Sequence, residues 1–215
     1  MDSYAVIGLG TFGSAVALEL MDSGCEVLAM DHNEEKVQRL ADRVTDAVVA
    51  DARDESVLRS LEIGHYDGCV VCIGEDVAAS ILVTLTLKEL GVKRVVCKAA
   101  DEIHKKALLK VGADRAVIPE REMASRFAQS LVCPSVMEYF DLSDEYAIVE
   151  CNAPETWIGK SLRQLNIRAK YGVSVIAFRR AGRLVVSPHP DELIRSGDML
   201  VLLGQSDDLN HLTKL

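Results

Sequence analysis

Short apolar runs alternate with stretches whose apolar positions recur every three or four residues, and this rhythm holds through the first 120 positions. The apolar runs at 4–8, 26–30, 47–50, 68–73, 94–98 and 115–118 read as strands. Helical patterns cover 12–23, 34–42, 55–61, 77–90 and 102–111. Near-continuous apolar strands separated by amphipathic helices predict an α/β fold, a doubly wound parallel sheet covered on both faces. Beyond position 120 the rhythm changes. A helical pattern over 123–131 is stopped by Cys133-Pro134, and 135–145 reads as a connector with an acidic end at Asp141, Asp144 and Glu145. A smaller α+β module follows. Its strands are expected at 146–151, 173–179, 183–186 and 198–203, with a short helix at 159–165 and a closing one at 206–212. Ala181-Gly182 between two apolar runs predicts a hairpin. The expected division is thus 1–134, a connector 135–145, and 146–215. The last module has a marginal core for its size, which favours pairing as a dimer.

The first strand runs into Gly8-x-Gly10-x-x-Gly13, a helix follows, and the second strand ends in Asp31. That frame is the sequence form of a dinucleotide-binding βαβ unit. Gly8 permits the tight turn, Gly10 lets the backbone approach a pyrophosphate, and Gly13 lets helix and strand pack closely. Phosphates are expected on the unpaired N–H groups at the positive end of the helix. Asp31 is placed to accept from ribose hydroxyls, and its charge opposes a 2′-phosphate, which disfavours NADPH. A helix-cap role before Glu34 is its alternative. Ligands of such sheets bind outside the carboxyl ends of the strands, so those ends mark candidates. They are Asp51 and Ala52 at the adenine edge, Ile73 and Gly74 near ribose or phosphates, Lys98, and Glu120. Asp51 can instead begin the turn before a helix near Asp54, and Lys98 can be a solvated strand end.

The net charge of −9 disfavours nucleic acid as a partner. No apolar run is long enough to span a membrane; the best, 78–87, is followed at once by Lys88 and Glu89. A strand begins within three residues of Met1, leaving no room for a signal peptide. The six cysteines, at 25, 69, 72, 97, 133 and 151, mostly lie among Val and Ile and read as core residues of a cytoplasmic protein. Cys69 and Cys72 have the spacing of a metal or redox pair, but residues three apart in a strand face opposite ways and lie ~10 Å apart. None of the five histidines sits in a framed catalytic motif, and there is no Walker loop. The pattern therefore points to a nucleotide that is sensed rather than hydrolysed. The alternatives are an NAD(H)-dependent oxidoreductase or redox sensor on the same fold, and a scaffold whose nucleotide is purely structural.

The segments AVIGLGTFGSAVA, LAMDHNEEKV, AVVADARDESVL, VVCIGEDVAASILVTLTLKELGV, KVGADRAVIPEREMA, DLSDEYAIVE and NIRAKYGVSVIA, in that order, closely resemble the cytosolic regulatory subunits of bacterial Ktr/Trk potassium transporters. These are built from an RCK domain (regulating conductance of potassium). The resemblance implies a Rossmann-like RCK N-lobe and a small C-terminal RCK lobe. It also implies a regulator without catalysis. Dimers would assemble into a homo-octameric ring docked under a membrane potassium transporter, at the inner face of the cell membrane. ATP or ADP, or NAD(H) in some relatives, would bind the N-lobe and switch the ring's shape. Cyclic di-AMP would bind between two C-lobes.

The N-lobe site carried over comprises Gly8, Gly10, Thr11, Phe12, Gly13, Asp31, Asn33, Asp51, Ala52, Ile73 and Gly74. Lys98 and Glu120 match positions near the phosphates and the dimer interface. Glu120 resembles a cation-linked glutamate, implying a divalent or sodium ion there. In the C-lobe, Ile167, Arg168 and Ala169 match the segment bordering the cyclic dinucleotide pocket, with Ile176 and Pro188 facing it; Arg168 can meet a phosphate bidentately. One departure stands out. The relatives carry arginine in the glycine loop, reaching the γ-phosphate bound by a neighbouring subunit, where this chain has Thr11. Its hydroxyl is expected to serve the helix start, and NAD(H), AMP and ADP remain candidate ligands beside ATP.

Overall fold

The computed structural model describes residues 1–132, 136–143 and 145–212. It divides into two compact units, Met1–Pro119 and Glu120–Leu215. In the first, strands β1 (Ser3–Ile7), β2 (Glu26–Asp31), β3 (Asp46–Val49), β4 (Gly68–Val71), β5 (Val95–Lys98) and β6 (Arg115–Val117) alternate with helices. These are α1 (Thr11–Asp22), α2 (Glu34–Gln38), α3 (Glu55–Ser60), α4 (Val77–Glu89) and α5 (Glu102–Lys110). All neighbours in the sheet are parallel, in the order β3-β2-β1-β4-β5-β6. The chain reverses its direction of winding between β1 and β4, and a crevice opens there at the carboxyl ends.

Each face of this sheet carries its own core. On one, Ile7, Met30, Val71 and Cys97 pack with Leu58, Val83, Leu87 and Leu108 of α3, α4 and α5. On the other, Val6, Val27 and Ala29 pack with Ala17 of α1 and Val37 of α2. Alternate residues of a strand point to opposite faces, so one strand feeds both cores. Helices α2 to α5 each open on a side-chain cap, from Asn33, Asp54, Asp76 and Asp101 respectively. α2 is shorter than its pattern over 34–42 suggested, because the chain leaves it in consecutive turns after Gln38.

The second unit begins earlier than the predicted boundary at 134. α6 (Pro119–Val132) follows β6 after one residue, and the predicted stop at Cys133-Pro134 lies outside the described residues. The segment 135–145 is no plain connector. It contains β7 (Val136–Asp141), which pairs antiparallel with β8 (Tyr146–Asn152). The turn between them is held by Ser143, whose hydroxyl accepts from the N–H groups of Glu145 and Tyr146 at 3.3 and 3.1 Å. With β9 (Ser174–Arg180), β10 (Arg183–Val186) and β11 (Met199–Gln205), these strands form an antiparallel sheet ordered β10-β9-β11-β8-β7. The expected hairpin is present. Ala181 and Gly182 join β9 to β10 with φ of 46° and 77°, as a two-residue type I′ turn requires. Helices α7 (Leu162–Leu165), α8 (Ile167–Tyr171) and α9 (Ser206–Leu212) complete this unit, and its core gathers Val149, Trp157, Leu165, Leu200, Leu202 and Leu209.

Candidate functional site

Parallel pairing sets Ile7 opposite both Met30 and Val71, so β1, β2 and β4 end together and the residues after them share one edge. Gly8 leaves β1 at φ 97°, a left-handed value, and a Cβ there would lie 2.9 Å from the carbonyl carbon of Cys72. A Cβ on Gly13 would lie 1.9 Å from the Gly8 carbonyl oxygen. These two glycines are dictated by the fold itself. Gly10 differs: its φ is −70°, and nothing lies within 4 Å of where its Cβ would be. It is the position in the loop that leaves room for something else to approach the backbone.

Gly10 caps α1 without a side chain, in contrast to the caps of α2 to α5. The first N–H groups of a twelve-residue helix therefore face the crevice with no side-chain acceptor at the cap, and the helix dipole favours an anion there. Thr11 is exposed, and its hydroxyl makes no hydrogen bond among the described residues; the expected service at the helix start is not observed. Ser14 instead ties the turn, donating from its hydroxyl to the Leu9 carbonyl at 3.1 Å.

Asp31 is buried, its side chain only 3 % exposed. One carboxylate oxygen accepts from the Leu9 N–H inside the glycine loop at 2.7 Å; the other accepts from the Asn33 N–H at 2.9 Å. Lys36 Nζ lies 3.5 Å away and His32 Nδ1 3.4 Å away. Burial works to raise the carboxyl pKa, but the two backbone donors, helped by Lys36 and His32, outweigh it and hold the group below 3.8. The cap of α2 is Asn33, which accepts from the Lys36 N–H at 3.2 Å. Asp31 thus fastens the glycine loop to the end of β2 and retains lone-pair directions for further donors.

Around this centre stand the other predicted positions of the first unit. Asp51 follows β3, and its carboxylate takes Nε of Arg53 at 2.9 Å and Nη2 at 2.6 Å, together with the Arg53 N–H at 3.0 Å. That pairing holds the Asp51 pKa down at about 2, and Asp54 caps α3. The turn-forming role weighed for Asp51 is therefore realised. Ala52 is buried, while Ile73 and Gly74 are half-buried after β4. A Cβ on Gly74 would lie 3.6 Å from Lys98 Nζ, and the same ammonium sits 6.0 Å from the centre of the Phe12 ring. Lys98 is thereby brought from β5 to the crevice beside the glycine loop. Glu120 lies in the first turn of α6, in the second unit. Among the described residues no three His, Cys, Asp or Glu side chains gather as a metal set.

In the second unit, Ile167 is 4 % exposed and belongs to the core, whereas Arg168 and Ala169 are exposed on α8. α8 starts from Asn166 at φ 44°, a left-handed residue that turns the chain sharply out of α7. Ile176 and Pro188 are half-buried, and the Ser187 N–H donates to the Ile176 carbonyl at 2.8 Å, which sets Pro188 beside β9. Arg180 anchors the segment beyond it, with Nε 2.8 Å and Nη2 2.7 Å from the two oxygens of the buried Asp198. Its Nη1 reaches Glu192 at 2.8 Å.

Cys69 and Cys72 pack in different cores on opposite sides of the first sheet, and burial pushes both thiols up to about 12. Cys97 is raised to about 11 and Cys151 to about 12 for the same reason, so none of the four supplies a thiolate near neutrality. Two residues of chemical interest carried no signal in the hydrophobic pattern. Arg53 is the partner of Asp51. His104 is buried at the start of α5, where its Nδ1 accepts from the Ala100 N–H at 3.1 Å and its Nε2 has no partner among the described residues.

Comparison with known proteins places these features in context. The TrkA-N domain family matches residues 4–119 and the TrkA-C domain family residues 146–215. The Ktr system potassium uptake protein C of Bacillus subtilis is 44% identical over 98% of this chain and 96% of its own length. The Ktr system potassium uptake protein A of the same organism is 46% identical over 96% and 93%. Among solved structures, the RCK domain of GsuK superposes with a TM-score of 0.69 at 18% identity, over all of this chain and 47% of that one. The NAD(P)-binding domain of an exopolyphosphatase-related protein from Archaeoglobus fulgidus superposes with a TM-score of 0.54 at 26% identity, over 61% of this chain and 98% of that one.

Proposed function

This chain belongs to the family of proteins with TrkA-N and TrkA-C domains, and from that premise we propose that it is a cytosolic, nucleotide-sensing regulatory subunit gating a bacterial potassium transporter. The observation that carries this reading is the likeness to two potassium uptake proteins, which runs through both units. It favours a regulator without turnover over an NAD(H)-dependent oxidoreductase.

The ligand is an adenine nucleotide, whether ATP, ADP, AMP or NAD(H). Its phosphates sit on the uncapped start of α1 over Gly10, with Lys98 adding positive charge. Its ribose lies against Asp31, and its base between the turns after β3 and β4. The open approach at Gly10 and the anchored carboxylate of Asp31 support this placement. Cyclic di-AMP is the second ligand, held in the C-terminal unit by Arg168 and Ala169 with Ile176 and Pro188 opposite. The working assembly is a homodimer that closes into a homo-octameric ring against the transporter. Glu120 binds a divalent or sodium cation at the dimer interface, with donors completed by a second copy.

Gating follows from linkage. A nucleotide shifts the assembly only by its differential affinity for the two shapes, and the shapes differ in how strongly they admit the transporter's open state. The test is reconstitution of a Ktr-type membrane subunit in proteoliposomes, with potassium flux recorded with and without this chain. Flux that depends on the chain, and changes when ATP is exchanged for ADP or NADH, is the expected result. Flux indifferent to the chain under every nucleotide refutes the proposal.

A further inference from the structure

Arg53 lies outside everything assigned above, and the geometry points to a role for it: we propose that its guanidinium contacts the nucleotide base and helps decide which base is accepted. This rests on the nucleotide reading of the first unit. The sheet order β3-β2-β1-β4 bounds the crevice by the turn after β3 on one side and the turn after β4 on the other. Arg53 stands on the first of those rims. It is forked onto Asp51 after β3, and the carboxylate of Asp76, which caps α4 after β4, also bears on it electrostatically. His32, next to the ribose-facing Asp31, acts on Asp51 in turn. The fork onto Asp51 after β3, the strand beside β2, keeps the guanidinium at the rim nearest to where a base lies once ribose is at Asp31.

The local structure does not need this side chain. The turn is closed by the Arg53 backbone N–H to Asp51, a donor that nearly any residue supplies. Both members of the ion pair are exposed, Arg53 at 56 % and Asp51 at 46 %, and exposed pairs contribute little to stability. What the pairing does accomplish is orientation. With Nε and Nη2 held by Asp51, the guanidinium plane is fixed, while Nη1 and both faces stay without a partner among the described residues. A fixed planar cation stacks on a purine face at small entropic cost, and Nη1–H can donate to a ring nitrogen. Its charge also offsets Asp51, which alone would repel the lone pairs of the base.

The test is calorimetric titration of the full chain and its Arg53→Ala and Arg53→Gln variants with ADP, GDP and UDP. Both variants are expected to weaken ADP by about 5–20-fold and to narrow the preference for ADP over UDP, with the thermal midpoint of the nucleotide-free protein unmoved. ADP affinity within twofold of wild type in both variants overturns the proposal. Equal weakening for all three nucleotides also overturns it, because that outcome reports a field acting on the phosphates and not a contact with the base. Should Arg53→Ala fail to fold, Arg53→Gln carries the same comparison alone. A wild-type chain that binds none of the three, nor ATP, AMP or NADH, overturns the nucleotide reading and this proposal together, which separates that failure from a failure of Arg53 alone.

Discussion

Replacing Asp31 by asparagine changes one oxygen to an amide NH2 at a place where both oxygens are already in use. In the native chain each oxygen accepts a backbone N–H, from Leu9 at 2.7 Å and Asn33 at 2.9 Å, with the side chain almost wholly out of water. The amide has one accepting oxygen. One N–H therefore loses its acceptor and meets another donor, while the retained bond falls from charge-assisted to neutral. Hydrogen bonds to charged groups contribute about 1.5–3 kcal/mol each, and an unsatisfied buried donor costs about 1–3 kcal/mol. Relief of the buried charge offsets part of this, so the expected loss is about 2–3 kcal/mol. With a urea slope of about 1–3 kcal/mol per molar, the unfolding midpoint of the first unit should fall by roughly 1–2 M. Circular dichroism follows that transition. The single tryptophan, Trp157, lies in the core of the second unit and reports that unit separately. Hydrogen exchange at Leu9 and Asn33 should accelerate before the rest of the sheet. The charge makes a second prediction. The folded pKa is depressed below 3.8, so the wild-type advantage is complete above that pH and drains away as the pH falls through the folded value. A midpoint unchanged by the substitution, or a gap that persists undiminished at pH 3, would refute the reasoning.

Other substitutions test neighbouring claims. Gly13→Ala should cost about 3 kcal/mol or more in a thermal melt, since its Cβ would meet the Gly8 carbonyl at 1.9 Å. Gly10→Ala should leave the melt within about 1 kcal/mol of wild type while weakening ADP at least about tenfold in calorimetry, because only an incoming ligand occupies its space. Arg180→Ala strands the buried Asp198 and should destabilise the second unit by about 3–5 kcal/mol, read from Trp157 fluorescence in urea. Burial depresses the His104 pKa below its ordinary 6.5, so the unfolded chain takes up the proton first. Stability of the first unit should therefore decline as pH falls below 6.5, and His104→Phe should flatten that slope between urea midpoints at pH 7 and pH 5. Arg168→Ala should abolish cyclic di-AMP binding in titration with ADP binding intact; retained affinity removes the C-terminal pocket.

The alternation of strand and helix in the first unit was legible because both faces of a parallel sheet are buried, which makes its strands apolar without interruption. The glycine loop was legible for a related reason: Gly8 and Gly13 answer to steric rules so strict that sequence alone announces them. β7 escaped notice. Its segment holds Met137 and Phe140, both exposed, beside the buried Tyr139, so its described positions lack the clean alternation of a one-sided strand. The signal that could have found it was the turn, where Ser143 sits between Asp141 and Tyr146 as an acceptor for two following N–H groups.

The polar residues divide along a different line. Asp31, His104 and Asp198 are as buried as the core leucines, yet nothing in their neighbours' hydropathy marks them. Their burial is decided by partners brought from elsewhere in the fold. Leu9 comes from another strand end, and Arg180 reaches Asp198 across 18 positions. Asp31 could be picked out because the glycine fingerprint supplies its partner's address; Asp198 had no such fingerprint. Arg53 shows the limit of that device. Two positions from Asp51 it looks like an ordinary loop cation, and only the order β3-β2-β1-β4 shows that its turn lies at the rim beside the end of β2. Sequence pattern thus identifies residues whose role is fixed by local geometry. Residues whose role depends on which strands become neighbours emerge only when the sheet is assembled.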